Sequence, residues 1–158
     1  MDLHKPKYLA VLGFSDYCSE HNKKVAEQVA RIAALYGVGI CMGNNTGTFH
    51  YALKEMKYVQ GDSLVVLERE NDFVSPYSKK VIVADSIDAK HQMVANTCMA
   101  AIVIGGALGT EHLIDCVLQQ GKSVVVMKGC GSLVSKKSHP KLRVTEQVDE
   151  AFRSIFAA

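Results

Sequence analysis

At 158 residues the chain is about one domain long, since domains run roughly 100–200 residues. A chain of this size buries on the order of 68–70% of its unfolded surface, so it needs neither disulfides nor a metal to hold a core. Hydrophobic residues at 48% and charged residues at 22% exclude a disordered chain. A net charge of +2, no Trp and 7% aromatics argue against a membrane surface, a duplex-binding surface or a base-stacking platform for single strands.

The first apolar run, Tyr8–Leu12, is too short for a signal-peptide core. It reads as a strand entering the loop Gly13-Phe14-Ser15-Asp16. A helix follows from Ser19 or Asn22 to Tyr36, with Val25, Val29, Ile32, Ala33 and Tyr36 on one face and Gly37 just beyond its end. Val38–Met42 is a second strand. Gly43-Asn44-Asn45-Thr46-Gly47-Thr48 then leads into a helix that buries Phe49, Ala52, Leu53 and Met56 and closes at Gly61.

Ser63–Leu67 is a third strand, and the polar stretch from Glu68 to Lys79, punctuated by Pro76, is a surface loop. Lys80–Ala84 is a strand, and Asp85 or Ser86 caps a helix running to about Met99. Ala100–Ile104 is the most apolar strand and enters Gly105-Gly106-Ala107-Leu108-Gly109-Thr110. The next helix buries Leu113, Ile114, Val117 and Leu118 and stops at Gly121. Ser123–Met127, a Gly/Ser/Lys-rich loop, a short Leu142–Val144 strand and a helix capped by Thr145 complete the chain. Strands this apolar are buried on both faces. The expectation is one α/β domain over residues 1–158, Rossmann-like and doubly wound, with a mostly parallel sheet flanked by helices on both faces.

In such sheets ligands bind beyond the carboxyl ends of the strands. Eight of the 12 glycines lie in turns that follow apolar runs. Three of the resulting loops fall on that edge: the one opened by Gly13 with Ser15, the one from Gly43 and Asn44 through Thr46 and Gly47 to Thr48, and the one from Gly105, Gly106 and Gly109 to Thr110. Glycine lets backbone approach a phosphate closely, and a helix start offers unpaired N–H groups and partial positive charge to an anion. These eleven residues are the expected phosphate-binding set. Neither G-x-G-x-x-G nor a P-loop is present.

The segment AIVIGGALGTEHLIDCVLQQGKSVVVM resembles the signature region of the LOG-like (SLOG) Rossmannoid superfamily. That superfamily includes the Lonely Guy phosphoribohydrolases, long mislabelled lysine decarboxylases, and molybdenum-cofactor carrier proteins. The front half, from Tyr8 through the Gly43–Thr48 turn, is similar as well, and the short carrier-like branch is the nearest. Gly106, Gly109 and Thr110 match the family's P-G-G-x-G-T turn, whereas Gly105 replaces its Pro and Ala107 its second Gly. The family's catalytic Arg falls on Lys90 and its catalytic Glu on Leu113. Ribosyl hydrolysis needs a carboxylate at its oxocarbenium-like state, which Leu113 cannot supply. Glu111, two residues earlier, and Lys90 are the substitute catalytic pair.

The resemblance therefore implies a protein that binds a nucleotide, phosphoribosyl compound or molybdopterin-type ligand as carrier or sensor, with no required cofactor. A phosphoribohydrolase of nucleoside 5′-monophosphates is the alternative, and single-strand binding of the DNA-processing protein A kind is a weaker one. It also implies a homodimer or homotetramer, to which Met93, Met99 and Val117 would contribute. Five cysteines without a C-x-x-C pair suit free thiols in the cytoplasm. Cys18 with His21, and His112 with Cys116, have ligand-like spacing but no further ligands nearby in sequence, so no metal site is expected. The five cations Lys128, Lys136, Lys137, Lys141 and Arg143 read as a solvated basic loop that could close over phosphates.

Overall fold

The structure, a computed structural model, describes residues 7–106, 108–131 and 138–157. Its elements run β1 (Tyr8–Gly13), α1 (Glu20–Leu35), β2 (Gly39–Met42), α2 (Thr48–Tyr58), β3 (Ser63–Leu67), β4 (Lys80–Val83), α3 (Ile87–Thr97), β5 (Cys98–Ile104), α4 (Leu108–Gln119), β6 (Ser123–Met127), β7 (Leu142–Thr145) and α5 (Val148–Phe156). The strands form one sheet in the order β4-β3-β2-β1-β5-β6-β7, and every pairing is parallel.

Alternation along the strands sorts the core into two layers. Leu9, Val11, Ile40, Met42 and Ile102 face α1, α2 and α5. Ala10, Leu12, Cys41, Ala101 and Val103 face α3 and α4. Because successive strand side chains point to opposite faces, a strand covered on both faces must be apolar throughout, and the six residues of β1 are all buried. The doubly wound expectation stands. The strand order reverses at β1, which pairs β2 on one side and β5 on the other, and that reversal opens a crevice at the carboxyl edge.

The edges depart from the sequence reading. β4 and β7 are apolar yet exposed, with Val81, Ile82 and Val144 at 39%, 36% and 49%. Each has a partner on one side only, so composition alone overstated their burial. Cys98 and Met99 belong to β5 rather than to the preceding helix, because β1 starts at Tyr8 and Tyr8 pairs with Cys98 across a register shift. Val117 is fully buried and Met93 and Met99 pack against the core. Met93 and Met99 are only partly buried.

Local signals explain most helix ends. Ser19 and Ser86 cap α1 and α3, accepting from the N–H of Asn22 and of Ala89. Gln60, at φ +60°, rather than Gly61, makes the left-handed turn after α2. The N-cap of α5 is Gln147 without a side-chain bond; the Thr145 hydroxyl instead accepts from the Gln147 N–H and donates to Glu150. At the opposite edge of the sheet the Tyr8 hydroxyl donates to Asp62 at 2.9 Å, and Lys80 donates to both, at 3.2–3.3 Å. Among the described residues no helix is long and apolar enough to cross a membrane.

Candidate functional site

Four chain segments meet at the β1/β5 reversal. Gly13 pairs with Ile104, and a Cβ on Gly13 would stand 2.8 Å from the Ile104 carbonyl oxygen. The close approach of the two strand ends therefore depends on a residue without a side chain. Beyond them lies a cleft of about 350 Å³. Its walls are Gly13 to Asp16 after β1, Gly43 and Asn44 after β2, Ile87, Lys90 and His91 on α3, and Gly109, Thr110 and Leu113 on α4.

Of the expected phosphate set, Gly13, Ser15, Gly43, Asn44, Gly109 and Thr110 share this cleft, and Lys90 joins them. Thr46 and Gly47 line a neighbouring cleft. Gly105 lies against Phe14 and the Cys130 carbonyl, and Gly106 lies under the Thr110 side chain. Thr48 is fully buried and its hydroxyl has no hydrogen-bond partner. Glu111 is half-buried and absent from the cleft wall, whereas Leu113 is part of it. Ala107, Lys136 and Lys137 lie outside the described residues. The remaining cations of the basic loop are exposed, and Lys128 pairs with Glu146 at 3.7 Å.

The two helix starts are not equivalent. The first three N–H groups of α2 are taken: Thr48 donates to Phe14, Phe49 to Thr46 and His50 to Gly47. The expectation that this turn offers free donors fails, because the turn spends them on closing itself and on holding the β1 loop. α4 begins at Leu108, so Gly109 and Thr110 sit within its first turn rather than before it. That turn fronts the cleft, and donors there lack intrahelical acceptors by geometry.

Lys90 is the dominant charge. It is 8% exposed, its stem packs on Gly43, and no carboxylate pairs with it among the described residues. A buried cation is costly unless an anion or hydrogen bonds compensate it. Beside it His91, also 8% exposed, shares a 2.6 Å Nδ1–Nδ1 contact with His112 of α4. Burial, then the neighbouring His112 and Lys90, lower the His91 pKa and favour the neutral ring near pH 7.

The β2 turn is the hub that fixes the surrounding loops. The Thr46 hydroxyl donates to the Ser15 carbonyl at 2.7 Å. Asn45, 7% exposed, donates to the Phe73 carbonyl at 3.0 Å and accepts from the Ser75 N–H at 2.9 Å. The stretch after β3 that reads as a surface loop is thus tied to the site. Phe14 and Asp16 belong to the loop read from the sequence but were outside the expected binding set, and Ile87 and His91 were not expected at the site. The pair on α3 carries no local signal. Among the described residues no three His, Cys, Asp or Glu are arranged to hold a metal ion.

Comparison with known proteins agrees with this architecture. An uncharacterized protein of Archaeoglobus fulgidus is 26% identical over 120 residues, 76% of this chain and 79% of its own. The molybdenum cofactor binding protein of Rippkaea orientalis superposes with a TM-score of 0.85 at 21% identity, over 96% of each chain. The molybdenum cofactor carrier protein of Chlamydomonas reinhardtii gives 0.79 at 21% identity, again over 96% of each. Those two likenesses establish a shared fold. The SLOG cluster4 pattern runs from residue 6 to residue 152, through the β1/β5 crevice and both glycine turns, and the chain belongs to the SLOG cluster4 family.

Proposed function

We propose that the protein binds a phosphorylated small molecule, a nucleotide, phosphoribosyl compound or molybdopterin-type ligand, and acts as its carrier or sensor in the cytoplasm. The observation that carries this reading is Lys90, a buried lysine without a carboxylate partner among the described residues, facing a cleft shared with Ser15, Asn44 and the first turn of α4. Phosphate oxygens placed between Lys90 and the N–H groups of Gly109 and Thr110 would satisfy the cation and the helix terminus together. The cofactor-binding and carrier proteins of the same fold support a carried ligand.

Titration calorimetry with ribose 5-phosphate tests the reading. Lys90→Gln is expected to weaken binding roughly 10- to 100-fold, the equivalent of one lost charge-assisted hydrogen bond. Unchanged affinity would remove Lys90 from the site, and no binding of any phosphorylated compound would end the proposal. Release of free base from a nucleoside 5′-monophosphate would favour hydrolysis instead, and Glu111→Gln should abolish it if Glu111 is the carboxylate. Self-association as a homodimer or homotetramer belongs to the same reading, supported by exposed Val81, Ile82 and Ile87, and light scattering measures it.

A further inference from the structure

The chain that leaves β3 at the carboxyl edge returns along α2 and re-enters the sheet at the opposite, amino edge. Asn45 ties it down at Phe73 and Ser75. At its far end the Lys79 N–H donates to the Ser63 hydroxyl at 3.0 Å. Ser63 is the first residue of β3, and Lys79 immediately precedes β4. Between this returning chain and the end of α2 lies a pocket of about 340 Å³. It shares no residue with the Lys90 cleft.

The surroundings of this pocket are positively charged. Lys57 and Lys79 line it, and Lys54 stands 6.0 Å from the centroid of the Tyr77 ring in the same wall. None of these lysines pairs with a carboxylate among the described residues. The acids flanking the stretch are engaged elsewhere, Glu55 by Arg31 and Asp62 by Lys80 and Tyr8. Lys57 Nζ donates to the Pro76 carbonyl at 3.3 Å, which holds it beside the returning chain. A helix C-terminus carries roughly half a negative charge, and here its carbonyls are covered. Those of Glu55, Met56 and Lys57 accept from the N–H groups of Val59, Gly61 and Gln60. Positive charge therefore prevails.

Two hydroxyls make the pocket more than a charged surface. Ser63 is 2% exposed, and its oxygen accepts from the Lys79 N–H, so its proton is left to donate. The Ser78 hydroxyl oxygen is buried and has no hydrogen-bond partner among the described residues. A buried hydroxyl in that condition is destabilising. Both serines line the pocket.

We infer that the amino-edge pocket is a second ligand site, which takes a small multivalent oxyanion, a phosphate or a dicarboxylate, between Lys57 and Lys79. The Ser63 and Ser78 hydroxyls donate to its oxygens. Ammonium and hydroxyl donors together suit a ligand that only accepts hydrogen bonds. A neutral or cationic ligand would leave the lysines without a counter-charge. The site stands independently of the phosphate reading at Lys90.

Amide-resolved NMR titration of the full chain with inorganic phosphate and with malonate, at an ionic strength held constant with chloride, tests the inference. At least one anion should shift the Ser63, Ser78 and Lys79 amides along a saturable curve, and the tighter of the two names the class. Lys90→Gln should leave that curve unchanged, because the two sites share no residue. Lys57→Gln/Lys79→Gln alters exposed side chains, so the fold should survive, and binding should weaken roughly 10-fold or more. Ser78→Ala should also weaken binding, yet without the anion its Tm should be no lower than that of the parent, since the hydroxyl it removes has no partner. No shift, a shift that never saturates, or one lost in Lys90→Gln overturns the second site. So does binding that survives unchanged in the lysine pair variant or in Ser78→Ala.

Discussion

Replacing Gly47 with Ala perturbs the hub of the site in a way whose size can be worked out. Gly47 has φ +61° and ψ −129°, a region that strains any residue with a side chain by about 1–3 kcal/mol. An added Cβ would also stand 2.7–2.8 Å from the Phe14 carbonyl oxygen and from the Ser15 carbonyl carbon and oxygen. Those are backbone atoms, so relief requires moving the β1 loop, and forced overpacking costs about 1–3 kcal/mol more. The sum, roughly 2–6 kcal/mol, is a large part of the 5–15 kcal/mol that holds a typical domain together. For a chain of this size it lowers Tm by roughly 4–24 °C. Gly37 provides the control. Its φ is +72°, but a Cβ there meets nothing within 4 Å, so Gly37→Ala isolates the conformational cost, about 1–2 kcal/mol. Urea denaturation of both variants measures the difference. If Gly47→Ala costs no more than Gly37→Ala, the β2 turn does not press against the β1 loop as described, and the hub argument fails.

Further outcomes follow from the same geometry. Asn45→Ala leaves the buried Ser75 N–H without its acceptor and the Phe73 carbonyl without its donor; a loss of about 1–3 kcal/mol is expected, with faster amide exchange across residues 68–79. Acidification should destabilise the fold. His50 and His91 have pKa values lowered from 6.5, so below about 6.5 the unfolded chain binds more protons than the native one. The histidines' contribution is therefore complete above 6.5 and is lost as pH falls through the lowered folded values. Denaturation at pH 7.5 and 5.5 should show this decline, shallower in His91→Gln; stability that is flat or rising toward pH 5.5 would contradict it. Thiol titration at pH 8 should find Cys18 reacting first. Burial raises Cys98 and Cys130 to about 11 and Cys41 well above its usual value, and Cys116 is raised as well. Two or more fast thiols per native chain would count against that ranking.

The sheet was legible because its strands alternate between two covered faces, as Leu9 and Val11 do against Ala10 and Leu12, and because Ser19 and Ser86 carry cap chemistry in the chain itself. The edge strands were misread for a related reason. Val81 and Ile82 have strand residues' composition, but which strand lies outermost is decided by topology. The Gly43–Thr48 and Gly105–Thr110 turns announced the carboxyl edge. Composition could not say which donors those turns keep for themselves. Thr48, Phe49 and His50 spend theirs on Phe14, Thr46 and Gly47, two of these bonds being local and one reaching 34 residues back along the chain. His91 and Phe73 enter the site only through packing between distant segments, which no local period records.

The bonds of Asn45 and Thr46 bear on how quickly a ligand could come and go. Both join loops of the protein to each other through the chain's own groups, so the walls need little further ordering at the moment of encounter. Capture should then follow second-order kinetics with a rate proportional to ligand concentration over a wide range, with no plateau from a preceding loop closure. Departure would be governed by the ligand's own contacts, and handing it to a recipient would require no part of this chain to unlace.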